Sequence, residues 1–97
     1  MNDIRVAGES ALTLLEAFHQ FKWRKARNGM QTASVSLEPR LGRPLMRALM
    51  RVEAELLLED ADRSGQLGAE DRNYEQRTCD ALLALALRVA DTLSDAQ

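Results

Sequence analysis

The chain has 97 residues and a formal net charge of −2, and 45% of its residues are hydrophobic while only 4% are aromatic. At this length we predict one domain, residues 1–97, and a core of Leu, Ala, Val and Met indicates packed helices instead of a sandwich or barrel. The single cysteine, Cys79, excludes an intrachain disulfide and with it a disulfide-stapled secreted scaffold.

Two further features of the sequence bear on location. The longest unbroken apolar run, residues 81–87, is seven residues long, whereas a membrane span needs about twenty. The first apolar stretch, residues 11–15, follows Asp3 and Glu9 instead of the basic segment of a secretory signal. We therefore expect a soluble, cytoplasmic protein that does not enter a membrane.

Charge is segregated along the chain. Residues 22–51 carry eight Lys or Arg against Glu38 alone, a net charge of +7, while residues 52–97 carry eleven acids against four arginines, a net charge of −7. Two interpretations stay open. Either the basic stretch pairs with the acidic half, within the chain or across a dimer, or it forms a site for a polyanion.

The first predicted helix spans residues 9–27, with Ser10 as its candidate N-cap. Its apolar residues keep the three-to-four spacing of one helical stripe: Ala11, Leu14, Leu15, Phe18 and Phe21. Residues 4–7 either extend this helix or form a short extended lead. Gly8 opposes the helical alternative by about 1 kcal/mol relative to alanine.

A turn and a strand are predicted next. Asn28 and Gly29 both tolerate the left-handed backbone that ends a helix or forms a tight turn. The predicted extended segment covers residues 32–37. Within it the apolar residues Ala33, Val35 and Leu37 alternate with polar ones. A lone strand leaves backbone groups unpaired, so it needs either the N-terminal lead or the same strand of a second subunit as its partner.

Two longer helices are predicted over residues 44–63 and 74–94, which makes the fold mainly α. Pro44 suits the first position of one helix, and Asn73 with Gln76 forms a capping box at the start of the other. Both helices carry apolar residues on more of their circumference than one partner covers. We therefore expect a helical homodimer with these interface residues: Leu45, Met46, Leu49, Met50, Val52, Leu56, Leu57, Leu82, Leu83, Leu85, Ala86, Leu87 and Val89.

The inventory of reactive side chains does not favour catalysis. Metal sites and acyl-transfer triads rely on histidine or several cysteines, and the chain has only His19 and Cys79. We expect His19 to be an ordinary helix histidine and Cys79 a small buried residue. The loop Gly65–Gly68 lacks the lysine of a phosphate loop, and the acids within residues 59–62 and 70–71 lack the spacing of a calcium loop. We predict no enzyme, no cofactor and no metal.

The best candidate for a binding patch is residues 22–27, where four cations flank Trp23. Cations suit a helix C-terminus whatever the function, but Lys and Arg also neutralise phosphates, and an indole stacks on a base or anchors in a protein pocket. The alternative is that Trp23 folds back on the core. Nine residues are predicted to contact a protein or nucleic acid: Lys22, Trp23, Arg24, Lys25, Arg27, Arg40, Arg43, Arg47 and Arg51.

The predicted function follows from these features. We predict a non-catalytic interaction module that acts by oligomerisation and by binding a protein partner. The alternative is a small regulatory protein that binds nucleic acid through the same basic residues.

Residues 72–82 resemble an arginine, cap, x, x, Gln-Arg, x, x, Asp-Ala-Leu pattern. That pattern occurs in an uncharacterised helical domain that precedes HNH nuclease modules in a family of actinobacterial repeat proteins. Residues 35–39 look like the strand that leads into the acid-proline helix start of that domain, so the resemblance covers about residues 33–90. Pro44 departs from the pattern, because it interrupts a helix that would begin at Pro39. The resemblance implies a helical accessory module without catalytic residues and makes DNA a candidate partner.

Overall fold

The computed structural model describes residues 4–64 and 74–95, and within them the chain is mainly helical with two small antiparallel sheets. The prediction of a mainly α fold with three helices is confirmed for these residues. None of their helices is long and apolar enough to cross a membrane. The elements follow one another as β1 Arg5–Val6, β2 Glu9–Ser10, α1 Ala11–Phe18, β3 Lys22–Lys25, β4 Gln31–Ser34, α2 Pro39–Ser64 and α3 Tyr74–Asp95.

A tight N-terminal hairpin precedes the first helix, with β1 and β2 paired antiparallel. The two residues that connect the strands, Ala7 and Gly8, have φ of 50° and 82°, a left-handed backbone that matches the twist of a hairpin. A Cβ on Gly8 would lie 2.7 Å from Nη1 of Arg51, so the missing side chain also permits this close approach. Residues 4–7 are therefore the extended alternative and not an extension of a helix.

The first helix, α1, is much shorter than the predicted 9–27 and covers only Ala11–Phe18. Its predicted cap is confirmed, because Oγ of Ser10 accepts a hydrogen bond from the backbone nitrogen of Thr13 at 3.4 Å. The helix ends at His19, whose backbone nitrogen donates to the carbonyl of Leu15. The prediction is wrong beyond that point, where the chain turns into a strand.

Residues 22–34 form a second hairpin, which we call the basic hairpin. Its strands β3 and β4 pair antiparallel, so the residues predicted as the end of a helix are extended. In the turn, the nitrogen of Gly29 donates to the carbonyl of Ala26 at 3.1 Å, and the nitrogen of Ala26 donates to the carbonyl of Met30 at 2.7 Å. Gly29 has φ 84°, which is typical of a three-residue hairpin loop that ends in a left-handed glycine.

The extended segment predicted at 32–37 is thus present in part, as β4. Its backbone pairs with β3 of the same chain and not with the N-terminal lead or with a second subunit. An unpaired strand therefore no longer argues for a dimer.

The second helix begins at Pro39, five residues before the predicted start at Pro44. The carbonyl of Glu38 accepts hydrogen bonds from the backbone nitrogens of Leu41 at 3.0 Å and Gly42 at 2.8 Å, which places Glu38 at the N-cap. Pro39 then occupies the first helical position, where its missing donor would have no partner in any case. The helix continues through Pro44 at the loss of one backbone hydrogen bond.

The core lies where the three helices pack on one another, and the N-terminal hairpin contacts α2 and α3. The third helix confirms the predicted bounds to within one residue, while its proposed cap, Asn73, and the loop Gly65–Gly68 lie outside the described residues. The buried apolar side chains are Val6, Ala11, Leu14, Ala17, Leu41, Leu45, Ala48, Leu49, Val52, Ala81, Leu85 and Val89.

Candidate binding surface on the basic hairpin

The nine residues predicted to contact a partner are all exposed, but they lie in two separate regions. Five belong to the basic hairpin: Lys22, Trp23, Arg24, Lys25 and Arg27. The other four lie in the first half of α2: Arg40, Arg43, Arg47 and Arg51. The two groups differ in what their charged ends contact.

Two of the α2 arginines hold the N-terminal hairpin through Glu9, whose exposed fraction is only 8%. Nη2 of Arg47 lies 2.9 Å from Oε1 of Glu9, and Nη1 of Arg51 lies 2.6 Å from Oε2. Arg51 also donates to the carbonyl of Ala7 at 2.7 Å. The hydrogen bond from Arg47, followed by that from Arg51, lowers the pKa of Glu9 to about 2.

A third α2 arginine joins the start of the helix to α1. Nη2 of Arg40 lies 2.8 Å from Oε1 of Glu16 and 2.8 Å from Oε1 of Glu38. The hydrogen bond from Arg40 lowers the pKa of Glu16. Of the four arginines in the first half of α2, Arg43 alone makes no ion pair with the part of the chain that the structure describes.

The acidic half of the chain has partners of its own. Nη2 of Arg88 lies 2.5 Å from Oε2 of Glu55, and Nε of Arg77 lies 3.3 Å from Oδ2 of the buried Asp60. The predicted pairing of the basic stretch with residues 52–97 is therefore not seen among residues 4–64 and 74–95. Arg40, Arg47 and Arg51 of α2 pair instead with acids from the first 38 residues.

The cations of the basic hairpin are in a different situation. Lys22, Arg24, Lys25 and Arg27 are exposed, and none forms an ion pair with any residue that the structure describes. The sequence explains this, because no acid occurs between Glu16 and Glu38. The hairpin thus presents four positive charges to solvent without an internal counter-charge.

The strand register distributes these charges over both faces of the hairpin. Residues alternate between faces along a strand, so one face carries two cations with the hydroxyl side chains opposite them: Lys22, Arg24, Thr32 and Ser34. The other face carries the indole, one cation and their uncharged neighbours: Trp23, Lys25, Ala33 and Gln31. All eight strand residues are exposed.

The indole of Trp23 is 55% exposed and rests on an aromatic neighbour. Its ring centroid lies 6.3 Å from that of Phe21 with an interplanar angle of 26°, and Phe21 lies 5.5 Å from Phe18. Phe18 and Phe21 are half-buried and pack against the core. The three rings therefore form a series from α1 to the hairpin, and Trp23 does not fold back into the core.

Sequence reasoning missed the polar side chains that complete this surface. Ser34 and Thr32 face the cations across the strands, and a pocket at the base of the hairpin is lined by Gln20, Lys22, Ser34, Val35 and Ser36. The sequence did contain a signal for the hairpin that brings these side chains together. The dipeptide Asn28-Gly29 is a strong hairpin indicator when extended segments flank it.

A second surface is apolar and lies on the helices. Eight of the predicted interface residues are buried or half-buried within one chain: Leu45, Leu49, Val52, Leu56, Leu82, Leu85, Ala86 and Val89. The remaining five are between half and two-thirds exposed: Met46, Met50, Leu57, Leu83 and Leu87. We call the three on α2, Met46, Met50 and Leu57, the outer stripe.

The two residues considered for chemistry are both on the surface. His19 is exposed at the end of α1, and Cys79 is a free, exposed thiol, so the prediction of a buried cysteine is wrong. Cys79 precedes Leu83 and Leu87 by four and eight residues, which places it on the solvent side of α3 with them. Within residues 4–64 and 74–95, no group of three or more His, Cys, Asp or Glu side chains is placed to hold a metal ion.

No protein-family model, curated protein or solved structure matches the chain. The resemblance of residues 33–90 to the helical domain that precedes HNH nuclease modules stays a prediction. The function is therefore inferred from the two surfaces themselves.

Proposed function

We propose that this protein is a non-catalytic binding module and that its basic hairpin binds the phosphates of a nucleic acid. The observation that carries the proposal is the set of four exposed cations, Lys22, Arg24, Lys25 and Arg27, which lack an ion-pair partner in the described residues. Three arginines of α2, Arg40, Arg47 and Arg51, join the N-terminal elements to that helix, whereas these four cations make no ion pair that holds the described fold.

The charge of the hairpin favours a polyanionic partner. Four cations on one short ribbon repel one another and attract counter-ions. A partner that supplies several phosphates in a row replaces those counter-ions, and their release drives binding. Four phosphate contacts correspond to a slope of about −3 in a plot of log affinity against log salt.

The composition of the hairpin favours nucleic acid over a protein partner. The cores of protein interfaces are apolar and are depleted in lysine. The hairpin, all of which the structure describes, exposes only Trp23 and Met30 as large apolar side chains. Its second strand instead contributes the amide and hydroxyl groups of Gln31, Thr32 and Ser34, which are suited to sugar and phosphate oxygens.

A charge-reversal experiment tests this proposal. Binding of a labelled oligonucleotide is measured by fluorescence anisotropy over a series of salt concentrations, for the wild type and for Arg24→Glu. We expect the variant to bind about tenfold more weakly and its salt slope to be smaller by about one. Arg43→Glu is the matched control, because Arg43 is also exposed and unpaired within the described residues but lies on α2.

The proposal fails if the wild type binds no oligonucleotide at low salt. It also fails if Arg24→Glu and Arg43→Glu weaken binding equally, since the effect would then report net charge and not the hairpin. Circular dichroism of both variants verifies that the helices are intact.

A second candidate function, self-association, is supported by the exposure of the outer stripe. Met46 and Met50 are 54% and 63% exposed, and Leu57 is 52% exposed. A chain of this length buries a smaller fraction of its surface than a larger domain does, and covering such a stripe with the same stripe of a second copy removes apolar area from water. The homodimer therefore stays a proposal that rests on this stripe.

Sedimentation equilibrium at two protein concentrations tests self-association. We expect the wild type to form dimers and Met50→Glu to be monomeric, while Leu12→Glu, at an exposed apolar position on α1, leaves the dimer intact. A wild type that is monomeric at both concentrations would contradict a dimer.

A further inference from the structure

We propose that the basic hairpin selects single-stranded nucleic acid over duplex by stacking a base on the open side of Trp23. This inference rests on the proposed function and adds a substrate class to it. It is carried by the aromatic series Phe18, Phe21 and Trp23, which is independent of the charges.

The aromatic series orients the indole. Phe18 and Phe21 pack against the core, so the ring on which Trp23 rests is itself held in place. The backbone of Trp23 is fixed by its register opposite Ala33. An aromatic side chain held in this way requires little ordering when a planar ligand stacks on it.

One side of the indole is free for a base. Phe21 lies on one side of Trp23, with 6.3 Å between the ring centroids and 26° between the ring planes, and 55% of Trp23 stays exposed. The residue directly opposite on β4 is Ala33, whose methyl group leaves the space beside the indole open. A base that stacks there extends the series by one more ring, as bases do on the aromatic platforms of single-strand binding proteins.

One cation of the strand lies on the face where the nucleotide stacks and is placed to contact a phosphate of that strand. Lys25 shares the face of Trp23 and lies two residues further along the strand, a step of about 7 Å. That step is comparable with the spacing of successive phosphates in an extended single strand. Arg27 follows in the turn of the hairpin and is a further exposed cation.

A duplex does not offer this contact. Its bases are stacked inside the helix, so a base reaches the indole only after unpairing and leaving the stack, which costs free energy. A single strand has unstacked bases available, and every base has a face that an indole accepts. The combination of an open indole and flanking cations therefore favours single strands without favouring a particular sequence.

The experiment uses the fact that Trp23 is the only tryptophan in the chain. The full chain is titrated with a single-stranded oligonucleotide, with a duplex of the same sequence and with inorganic polyphosphate, and tryptophan fluorescence is recorded. We expect strong quenching by the single strand, little by polyphosphate, and a weaker affinity for the duplex.

Labelled oligonucleotides then compare three proteins: the wild type, Trp23→Ala and Trp23→Phe. We expect Trp23→Ala to bind the single strand about tenfold more weakly and the duplex almost as the wild type does, while Trp23→Phe recovers most of the loss. An unchanged salt slope in Trp23→Ala verifies that the hairpin cations still engage phosphates. A Trp23→Ala variant with a lower slope has lost the hairpin itself, and the Trp23→Phe variant then decides the outcome.

The possible failures are distinguishable. Binding of the duplex that equals or exceeds binding of the single strand, or a single-strand affinity that is unchanged in Trp23→Ala, overturns the stacking inference and leaves the proposed phosphate contacts intact. No binding to either nucleic acid overturns both proposals.

Discussion

The basic hairpin and the first half of α2 carry the same number of cations, four each, and use them in opposite ways. In α2, three of the four arginines bind acids from the N-terminal elements and so join β2 and α1 to the helix. On the hairpin, all four cations face solvent without an ion pair in the described residues. The number of cations in a segment therefore says little about function. What matters is whether the fold brings acidic side chains close enough to pair with them.

This difference separates folding from binding in the molecule. Under the proposed function, replacing a hairpin cation weakens binding of the nucleic acid, and it removes no ion pair of the described fold. Replacing one member of the Glu9 cluster, which we define as Glu9, Arg47 and Arg51, disconnects the N-terminal hairpin from α2. Three measurements sharpen this contrast.

The largest effect is expected from Glu9→Gln. The carboxylate of Glu9 is nearly buried and accepts charge-assisted hydrogen bonds from two arginines. A neutral amide keeps the shape but loses the charge, so we expect the free energy of unfolding to fall by about 2 to 3 kcal/mol. Urea denaturation monitored by circular dichroism measures this change.

The matched control for Glu9→Gln is Lys25→Gln on the basic hairpin, an equally small change of charge at an exposed residue. We expect its free energy of unfolding to stay within about 0.5 kcal/mol of the wild type. Equal losses in the two variants would show that both basic regions stabilise the fold and would remove the contrast between them.

Acid should abolish the stabilisation that the Glu9 cluster gives the folded chain. The pKa of Glu9 is lowered from 4.5 to about 2 in the folded chain, so the folded state binds a proton less readily than the unfolded state. The stabilisation is complete above pH 4.5 and is lost as the pH falls towards 2. The lowered pKa by itself corresponds to about 3 kcal/mol, and because Arg47 and Arg51 are half exposed, solvent screening reduces this to about 2 kcal/mol. Urea midpoints between pH 7 and pH 2.5 measure it.

The Glu9→Gln variant supplies the reference for this titration. Its stability lacks the contribution of the Glu9 carboxylate. We therefore expect the difference in free energy of unfolding between wild type and variant to shrink steadily below pH 4.5. A difference that stays constant down to pH 2.5 would mean that Glu9 is not the group responsible.

Much of the helical body was predictable from local sequence. The third helix follows the predicted bounds, and Ser10 caps α1 as expected, because capping and apolar periodicity are properties of neighbouring residues. α2 also carries apolar residues on two sides, the buried Leu45, Leu49 and Val52 and the exposed outer stripe, but which side is buried was not predictable. That choice depends on where α1 and α3 pack.

The failure at residues 19–27 has a physical cause. Phe18 and Phe21 keep helical spacing, and cations near a helix C-terminus suit its dipole, so a continued helix was locally consistent. The alternation of the aromatic Phe21 and Trp23 with Lys22 and Arg24 is equally consistent with a strand, and pairing with β4 decides between the two. The Glu9 cluster could not be predicted for a similar reason. Glu9 is about 40 positions from Arg47 and Arg51 in the sequence, and only the tertiary fold brings it to them.

The smallest effects are expected from two glycines that occupy equivalent places in the two hairpins. Gly8 and Gly29 have φ of 82° and 84°, so alanine strains the backbone at both by about 1 kcal/mol. At Gly8 the new Cβ also meets the guanidinium of Arg51 at 2.7 Å, whereas nothing lies within 4 Å at Gly29. We therefore expect Gly8→Ala to cost about 2 kcal/mol in urea denaturation and Gly29→Ala about 1 kcal/mol or less.

The two glycine variants should also differ in what else they change. Gly8→Ala moves Arg51 away from Glu9, so its stability should lose part of the acid dependence described above. Gly29→Ala perturbs only the turn of the basic hairpin, so its acid dependence should match that of the wild type while its oligonucleotide affinity falls. The reverse pattern, with acid dependence lost in Gly29→Ala and kept in Gly8→Ala, would show that the two hairpins are coupled, contrary to the separation of folding from binding that the ion pairs indicate.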